Sequence, residues 1–177
     1  MTRIILTYGL ISGLVVITGI IATILMSYSE VWLGYLIMLV ALSSILIGVK
    51  QYRDQALGGV IRFHTALLLG LGIAVVAGLT YIVVWELYLA ATGYTFMDQY
   101  VAQTLEAKRA AGVTGAAYQK VAAEMEALRR QYANPLFRLP MTFIEVFPVG
   151  LLIAVVSAAL LRNPRFLPAR SAPLAPI

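Results

Sequence analysis

The chain contains no cysteine and only one histidine, His64, among its 177 residues. Without thiols there can be no disulfide, no thiolate metal ligand and no cysteine redox chemistry. One histidine, flanked by Phe63 and Thr65, offers none of the converging partners that a metal site or an acid–base pair requires. Charge is also scarce: 12% of residues are Asp, Glu, Lys or Arg, against about a quarter in an ordinary soluble domain. The paired glycines Gly58-Gly59 are too short for a phosphate-cradling loop and mark a turn. No nucleophile elbow is present either. No cofactor is expected.

Apolar surface is what the chain has in quantity. Hydrophobic residues make up 61% of it, and the mean hydropathy is +0.88. A chain this short cannot hide so much apolar area in one water-soluble core. Lipid must serve as part of its solvent. The net charge of +5 does not point to nucleic acid, because the basic residues are scattered between apolar runs rather than gathered on one face.

A helix needs roughly 20 mostly apolar residues to cross a bilayer. Four windows qualify: about Ile4–Met26, Val31–Val49, Thr65–Leu89 and Leu139–Leu161. All are expected to be helical, since lipid offers no partner for free backbone groups. Their continuous hydrophobicity excludes barrel strands. The first is read as a retained span, because Ser27-Tyr28-Ser29-Glu30 is a poor cleavage site. The fold class is therefore all-α, with four transmembrane helices in one domain over 1–161. A proline-rich tail over 162–177 is expected to be disordered.

With four spans, both termini share one side with the second connection, Lys50–His64. That side carries seven basic residues: Arg3, Lys50, Arg53, Arg62, Arg162, Arg165 and Arg170. The long third connection carries six, but long loops translocate largely regardless of charge. Both termini are accordingly placed in the cytoplasm, at a bacterial inner membrane. Tyr28, Trp32, Tyr35, Trp85, Tyr88 and Tyr94 then fall near the outer ends, where aromatic side chains favour headgroup depth.

The third connection has its own pattern. Tyr118, Val121, Met125, Leu128 and Tyr132 form one helical stripe, and Met97, Val101 and Leu105 form a weaker one over roughly Phe96–Ala110. Glu126 and Arg130 stand at the favourable i,i+4 spacing. Gly112 and Gly115 separate the stripes, and Asn134-Pro135 ends the second. The reading is a helical hairpin over about 94–133, outside the bilayer core. It can pack on itself, cap the bundle or lie among headgroups.

An ionisable residue inside a span is expensive and is a functional candidate by default. Glu86 in the third span and Glu145 in the fourth are the two. They could share a proton or bind a cation. More plainly, Glu86 is wet at the interface, while Glu145 finds Arg138 or a hydroxyl. Pro148, one turn after Glu145, frees a carbonyl and bends the helix. Lys50, Arg53 and Arg62 are candidate contacts for anionic lipid or a protein partner, against ordinary topology determination. Small residues recur every four positions: Gly9 and Gly13; Ala66, Gly70, Ala74 and Gly78; Gly150, Ala154 and Ala158. Such faces let helix backbones approach closely in lipid. Whether the partner helix belongs to the same chain stays open.

Several stretches carry a resemblance. Gly48-Val-Lys-Gln-Tyr-Arg-Asp54, Gly58-Gly-Val-Ile-Arg-Phe63, Trp85-Glu86, Asn134-Pro-Leu-Phe-Arg138 and Met141-Thr-Phe-Ile-Glu-Val-Phe-Pro-Val-Gly-Leu-Leu152 together resemble a bacterial membrane family, the domain of unknown function number 4199. The resemblance implies a small inner-membrane protein of four spans and brings no activity or catalytic residues with it.

The residues favour a non-enzymatic structural or accessory membrane protein. Its partners would be the lipid bilayer, a second copy or another membrane protein. The rival is a small transporter or channel subunit that handles protons or cations at Glu86 and Glu145.

Overall fold

The structure, a computed structural model, describes residues 1–26 and 31–169. Seven helices appear among the described residues: α1 (Thr2–Leu25), α2 (Val31–Leu42), α3 (Ser44–Ala56), α4 (Phe63–Ala91), α5 (Phe96–Ala110), α6 (Gly115–Tyr132) and α7 (Pro135–Leu161). Four helical stretches are long and apolar enough to cross a membrane: Thr2–Leu25, Trp32–Ala56, Phe63–Ala91 and Pro135–Leu161. The expected spans are all present, and each is longer than the hydrophobic window that announced it. Helices stop where capping or a turn stops them, not where hydrophobicity ends. Tyr28 and the turn Ser27–Glu30 lie outside the described residues, as do Arg170, Pro173 and Pro176.

The second span contains a break. Ser43 separates α2 from α3, and its hydroxyl donates to the Val40 carbonyl at 2.6 Å. The Leu46 amide bonds back only three residues, to Ser43, at 3.0 Å. A serine that bonds the preceding turn of its own helix bends the axis. The helix then continues past Val49 to Ala56, so Lys50, Arg53 and Asp54 lie on helix rather than in a loop. Gly58 (φ +66°) and Gly59 (φ +94°) make the turn that follows.

The chain divides into two compact units. The first comprises α1 to α3, α4 as far as Tyr81, and α7 from Ile144. It is packed through small residues. A side chain added at Gly70 would meet the Ala154 Cβ at 2.9 Å, and one at Gly150 would meet the Ala74 Cβ at 2.8 Å. The small-residue faces of α4 and α7 therefore meet each other within one chain. Gly9 and Gly13 of α1 lie against α4 in the same way; an added Cβ would fall 2.5 Å from Val76 and 2.6 Å from the Ala77 carbonyl. Without lipid-driven burial to hold helices together, close van der Waals approach is what associates them. Leucines such as Leu6, Leu10, Leu68 and Leu79 point outward, as apolar side chains facing lipid do.

Two polar ties cross between α1 and α3. The Tyr8 hydroxyl donates to Gln51 Oε1 at 2.7 Å, and Ser12 hydrogen-bonds Ser44. Arg53 makes a third tie. It is fully buried, donates to Asp54 at 2.7 Å and to the Phe166 carbonyl at 2.9 Å, and also reaches the Leu167 carbonyl. Each of the three guanidinium nitrogens of Arg53 thus has an acceptor inside the chain, and two of those acceptors are backbone carbonyls of the segment after Leu161.

The second unit spans Ile82–Phe143. Within it, α5 and α6 are separated by a turn at 111–114, with Gly112 (φ +79°) and Gly115 (φ +60°) in the left-handed region. Both helices run over the residues that the stripes marked out. Met97 is buried, and Val121, Met125, Leu128 and Tyr132 are half-buried.

Candidate functional site: an arginine–carboxylate pair in an aromatic cluster

Two helix ends build the site. α4 closes in a Schellman arrangement: the Gly93 amide bonds the Ala90 carbonyl at 3.2 Å, and the Tyr94 amide bonds the Leu89 carbonyl at 2.7 Å. Gly93 takes φ +64°, as this motif asks. Tyr94 also stands at φ +57°, an uncommon conformation for a residue with a side chain. α7 opens at Asn134-Pro135. The Asn134 side-chain oxygen accepts the Leu136 amide at 3.0 Å, and proline occupies the first helical position, where its missing N–H costs nothing. The same dipeptide that ends α6 thus starts α7, which places Arg138 in its first turn.

Arg138 and Glu86 meet there. Arg138 Nε donates to Glu86 Oε1 at 2.6 Å, and its Nη2 donates to Oε2 at 2.7 Å. This is the two-pronged geometry for which a guanidinium is built. Nη1 donates to the Tyr132 carbonyl at 3.0 Å. The rings of Tyr94 and Tyr132 lie 5.3 and 5.6 Å from the guanidinium carbon, within cation–π range. The Arg138 side chain keeps 5% of its exposure, and that of Glu86 keeps 26%. Trp85 Nε1 donates to the Tyr132 hydroxyl at 2.8 Å, and Phe96 packs edge-on to Trp85 at 4.8 Å. Trp85 is therefore buried in the cluster rather than belted against lipid, unlike the exposed Trp32 and Tyr35.

Beside the pair opens a cavity of about 480 Å³. Leu89, Tyr94, Met97 and Pro135 give it apolar walls. Arg129, Arg130 and Arg138 line it with charge, against one carboxylate, Asp98. Arg129 donates to Asp98 at 2.9 Å and to Glu126 at 3.0 Å. Those acceptors, Asp98 first, hold its guanidinium further above the ordinary arginine value. Glu126 thus pairs three residues on, with Arg129, and not four residues on, with Arg130. No carboxylate lies within ion-pair reach of Arg130 among the described residues.

The other candidates are dispersed. Glu145, on α7, stands on the exposed side of its helix and takes a hydrogen bond from the Tyr81 hydroxyl. Each glutamate thus has its own partner: a guanidinium for Glu86 and a phenol for Glu145. Pro148 interrupts nothing visibly, since α7 continues to Leu161. Lys50 pairs with Asp54 one turn along its helix. Arg62 and His64 are exposed at the start of α4. Among the described residues no cluster of three metal-ligating side chains occurs. In sequence Arg138 stands just outside the fourth span, a basic residue of the third connection and a candidate partner for Glu145; in the structure its carboxylate partner is Glu86. The local signal that positions Arg138 is the cap at Asn134, four residues earlier.

Four apolar helices, and a carboxylate and an arginine paired at the ends of two of them, define a multi-span α-helical membrane protein. The model of the family described as "Protein of unknown function (DUF4199)" matches residues 7–163, and the chain belongs to that family. No curated protein and no solved structure matches the chain.

Proposed function

We propose that this is a non-enzymatic structural or accessory protein of the bacterial inner membrane, acting through lipid or protein partners. Both termini face the cytoplasm, and α5 and α6 form a hairpin outside the bilayer. The hairpin reading is supported by the short turn at 111–114 and by the side-chain links Arg129–Asp98 and Arg109–Tyr118. The orientation rests on the basic residues near the span ends.

The observation that carries the reading is the state of Glu86. Both of its oxygens are engaged by one guanidinium at 2.6 and 2.7 Å. A carboxylate with both oxygens already taken by one guanidinium is a poor shuttle for a proton or cation. It does serve to join the end of α4 to the start of α7 across 52 positions of sequence. The test is the full chain reconstituted in liposomes loaded with a pH-sensitive dye. Proton, sodium and potassium fluxes should match those of protein-free liposomes. Reporter fusions at Ile177 and near Gly112 test the orientation, and a periplasmic signal from the C-terminus would reverse it.

One observation favours a second reading, a small transporter subunit. Glu145 lies in a candidate span with a phenol, not a cation, for its partner. A proton-driven flux that Glu145→Gln abolishes would establish that reading in place of the first.

A further inference from the structure

The cavity between the end of α4, the first turn of α5, the end of α6 and the start of α7 joins features that the rest of the fold keeps apart. Its walls are apolar at Leu89, Met97 and Pro135, and its lining carries three guanidiniums against one carboxylate. Two of those guanidiniums are already committed: Arg138 to Glu86, and Arg129 to Asp98 and Glu126. Arg130 is exposed, and among the described residues no carboxylate forms an ion pair with it. The site therefore has an unspent positive charge beside an apolar wall. It also holds Tyr94 in the left-handed region at φ +57°, a strain of the kind that gathers at ligand sites. Its depth is set by the helices. Leu89 lies in the last turn of α4 and Pro135 opens α7, so the cavity sits where two candidate spans end, at the level of lipid headgroups.

We propose that this cavity binds the anionic phosphate headgroup of a membrane phospholipid. Arg130 is the main electrostatic contact, and the start of an acyl chain lies along Leu89, Met97 and Pro135. A volume of about 480 Å³ falls in the range of small-molecule sites, roughly 300–1,000 Å³. It holds a headgroup and the first part of a chain, not a whole lipid. The proposal rests on the membrane reading above and names the lipid class.

The chain has two tryptophans, and Trp85 bonds Tyr132, which lines the cavity. A Trp32→Phe variant leaves Trp85 as the sole reporter. The full-length variant in neutral detergent is titrated with chain-brominated phosphatidylglycerol, chain-brominated phosphatidylcholine or inorganic phosphate. Phosphatidylglycerol should quench Trp85 at about ten-fold lower mole fraction than phosphatidylcholine, the scale of one charge-assisted contact. Arg130→Ala should remove that preference, whereas Lys120→Ala, a charge change elsewhere on α6, should keep it. Arg130 is exposed and makes no ion pair among the described residues, so Arg130→Ala should leave the fold intact, as an unchanged melting temperature would show. Equal quenching by both lipids, or an Arg130→Ala variant that keeps the preference, overturns the proposal. So does inorganic phosphate that competes away the preference by itself, which would make this a free-anion site. The membrane reading is judged apart: recovery of the chain without detergent in the soluble fraction would overturn that reading and the lipid site together.

Discussion

The two units of the chain are held together by opposite means. In the unit of α1 to α3, the first part of α4 and most of α7, contact depends on taking side chains away. Gly70 lies against Ala154, Gly150 against Ala74, and Gly9 and Gly13 against the backbone and short side chains of α4. In the unit from Ile82 to Phe143, contact depends on large polar side chains. Arg138, Glu86, Tyr132 and Trp85 are linked through directed hydrogen bonds. The difference follows from the solvent. Among lipid chains an apolar side chain gains nothing by meeting another, so only close approach distinguishes protein from lipid. Near the ends of spans, water and headgroups compete for every polar group. There a bidentate, ring-flanked pair holds where a single hydrogen bond would exchange.

The largest effect should come from breaking the small-residue seam. A Cβ at position 70 would lie 2.9 Å from the Ala154 Cβ and 3.2 Å from its Cα. The obstacle is backbone-attached and cannot swing aside. Gly70→Leu should cost about 3 kcal/mol or more, at the upper end of overpacking, and should lower the yield of folded chain in detergent. A melting temperature equal to that of the wild type would show that α4 and α7 do not rely on close approach.

The next effect should come from the arginine pair. Arg138→Met keeps the length and apolar stem but strands Glu86, and the expected loss is about 1–3 kcal/mol, because Glu86 retains some access to water. Glu86→Gln in the same background should recover part of that loss, since the stranded charge is gone. If the double variant were no more stable than Arg138→Met alone, the pair would not be the tie described. Trp85→Phe sharpens the same comparison on a smaller scale. It keeps a ring against Phe96 but removes the donor to Tyr132, and it should cost about 1 kcal/mol. Differential scanning of the three variants in one detergent orders them.

How much of this was legible depended on the distance between partners in sequence. The spans and the small-residue faces could be read because each is a pattern within one helix, and α5 and α6 followed from stripes and glycines. The Arg138–Glu86 pair could not be read, because its members are 52 positions apart and neither carries a periodic signal. Hydropathy also misled locally. It ended the second span at Val49, while the helix runs to Ala56, so Arg53 looked like a loop charge when it is a buried anchor for Phe166 and Leu167. A hydrophobic window reports where lipid is tolerated. It does not report where backbone hydrogen bonding stops. The Glu126–Arg130 pairing failed for a related reason: Asp98, from another helix, draws Arg129 into the position that also reaches Glu126.

The smallest effect should come from that last contact, which makes it a useful control. Arg129 and Asp98 form an ion pair at 2.9 Å, as short as many buried ones. Yet their side chains keep 46% and 61% of their exposure. Water solvates both charges when the pair opens, and salt screens what attraction remains. Distance alone would rank this pair beside Arg138–Glu86, whereas exposure ranks it far below. Asp98→Asn should therefore leave the melting temperature unchanged within error at physiological salt. Any small loss at low salt should vanish as salt is added. The loss in Arg138→Met should persist across the same salt range, because its partner carboxylate is shielded by protein and not by ions. If Asp98→Asn proved as damaging as Arg138→Met, or if both losses faded equally with salt, the enclosure of the Glu86 pair by Tyr94 and Tyr132 would not be what sets it apart.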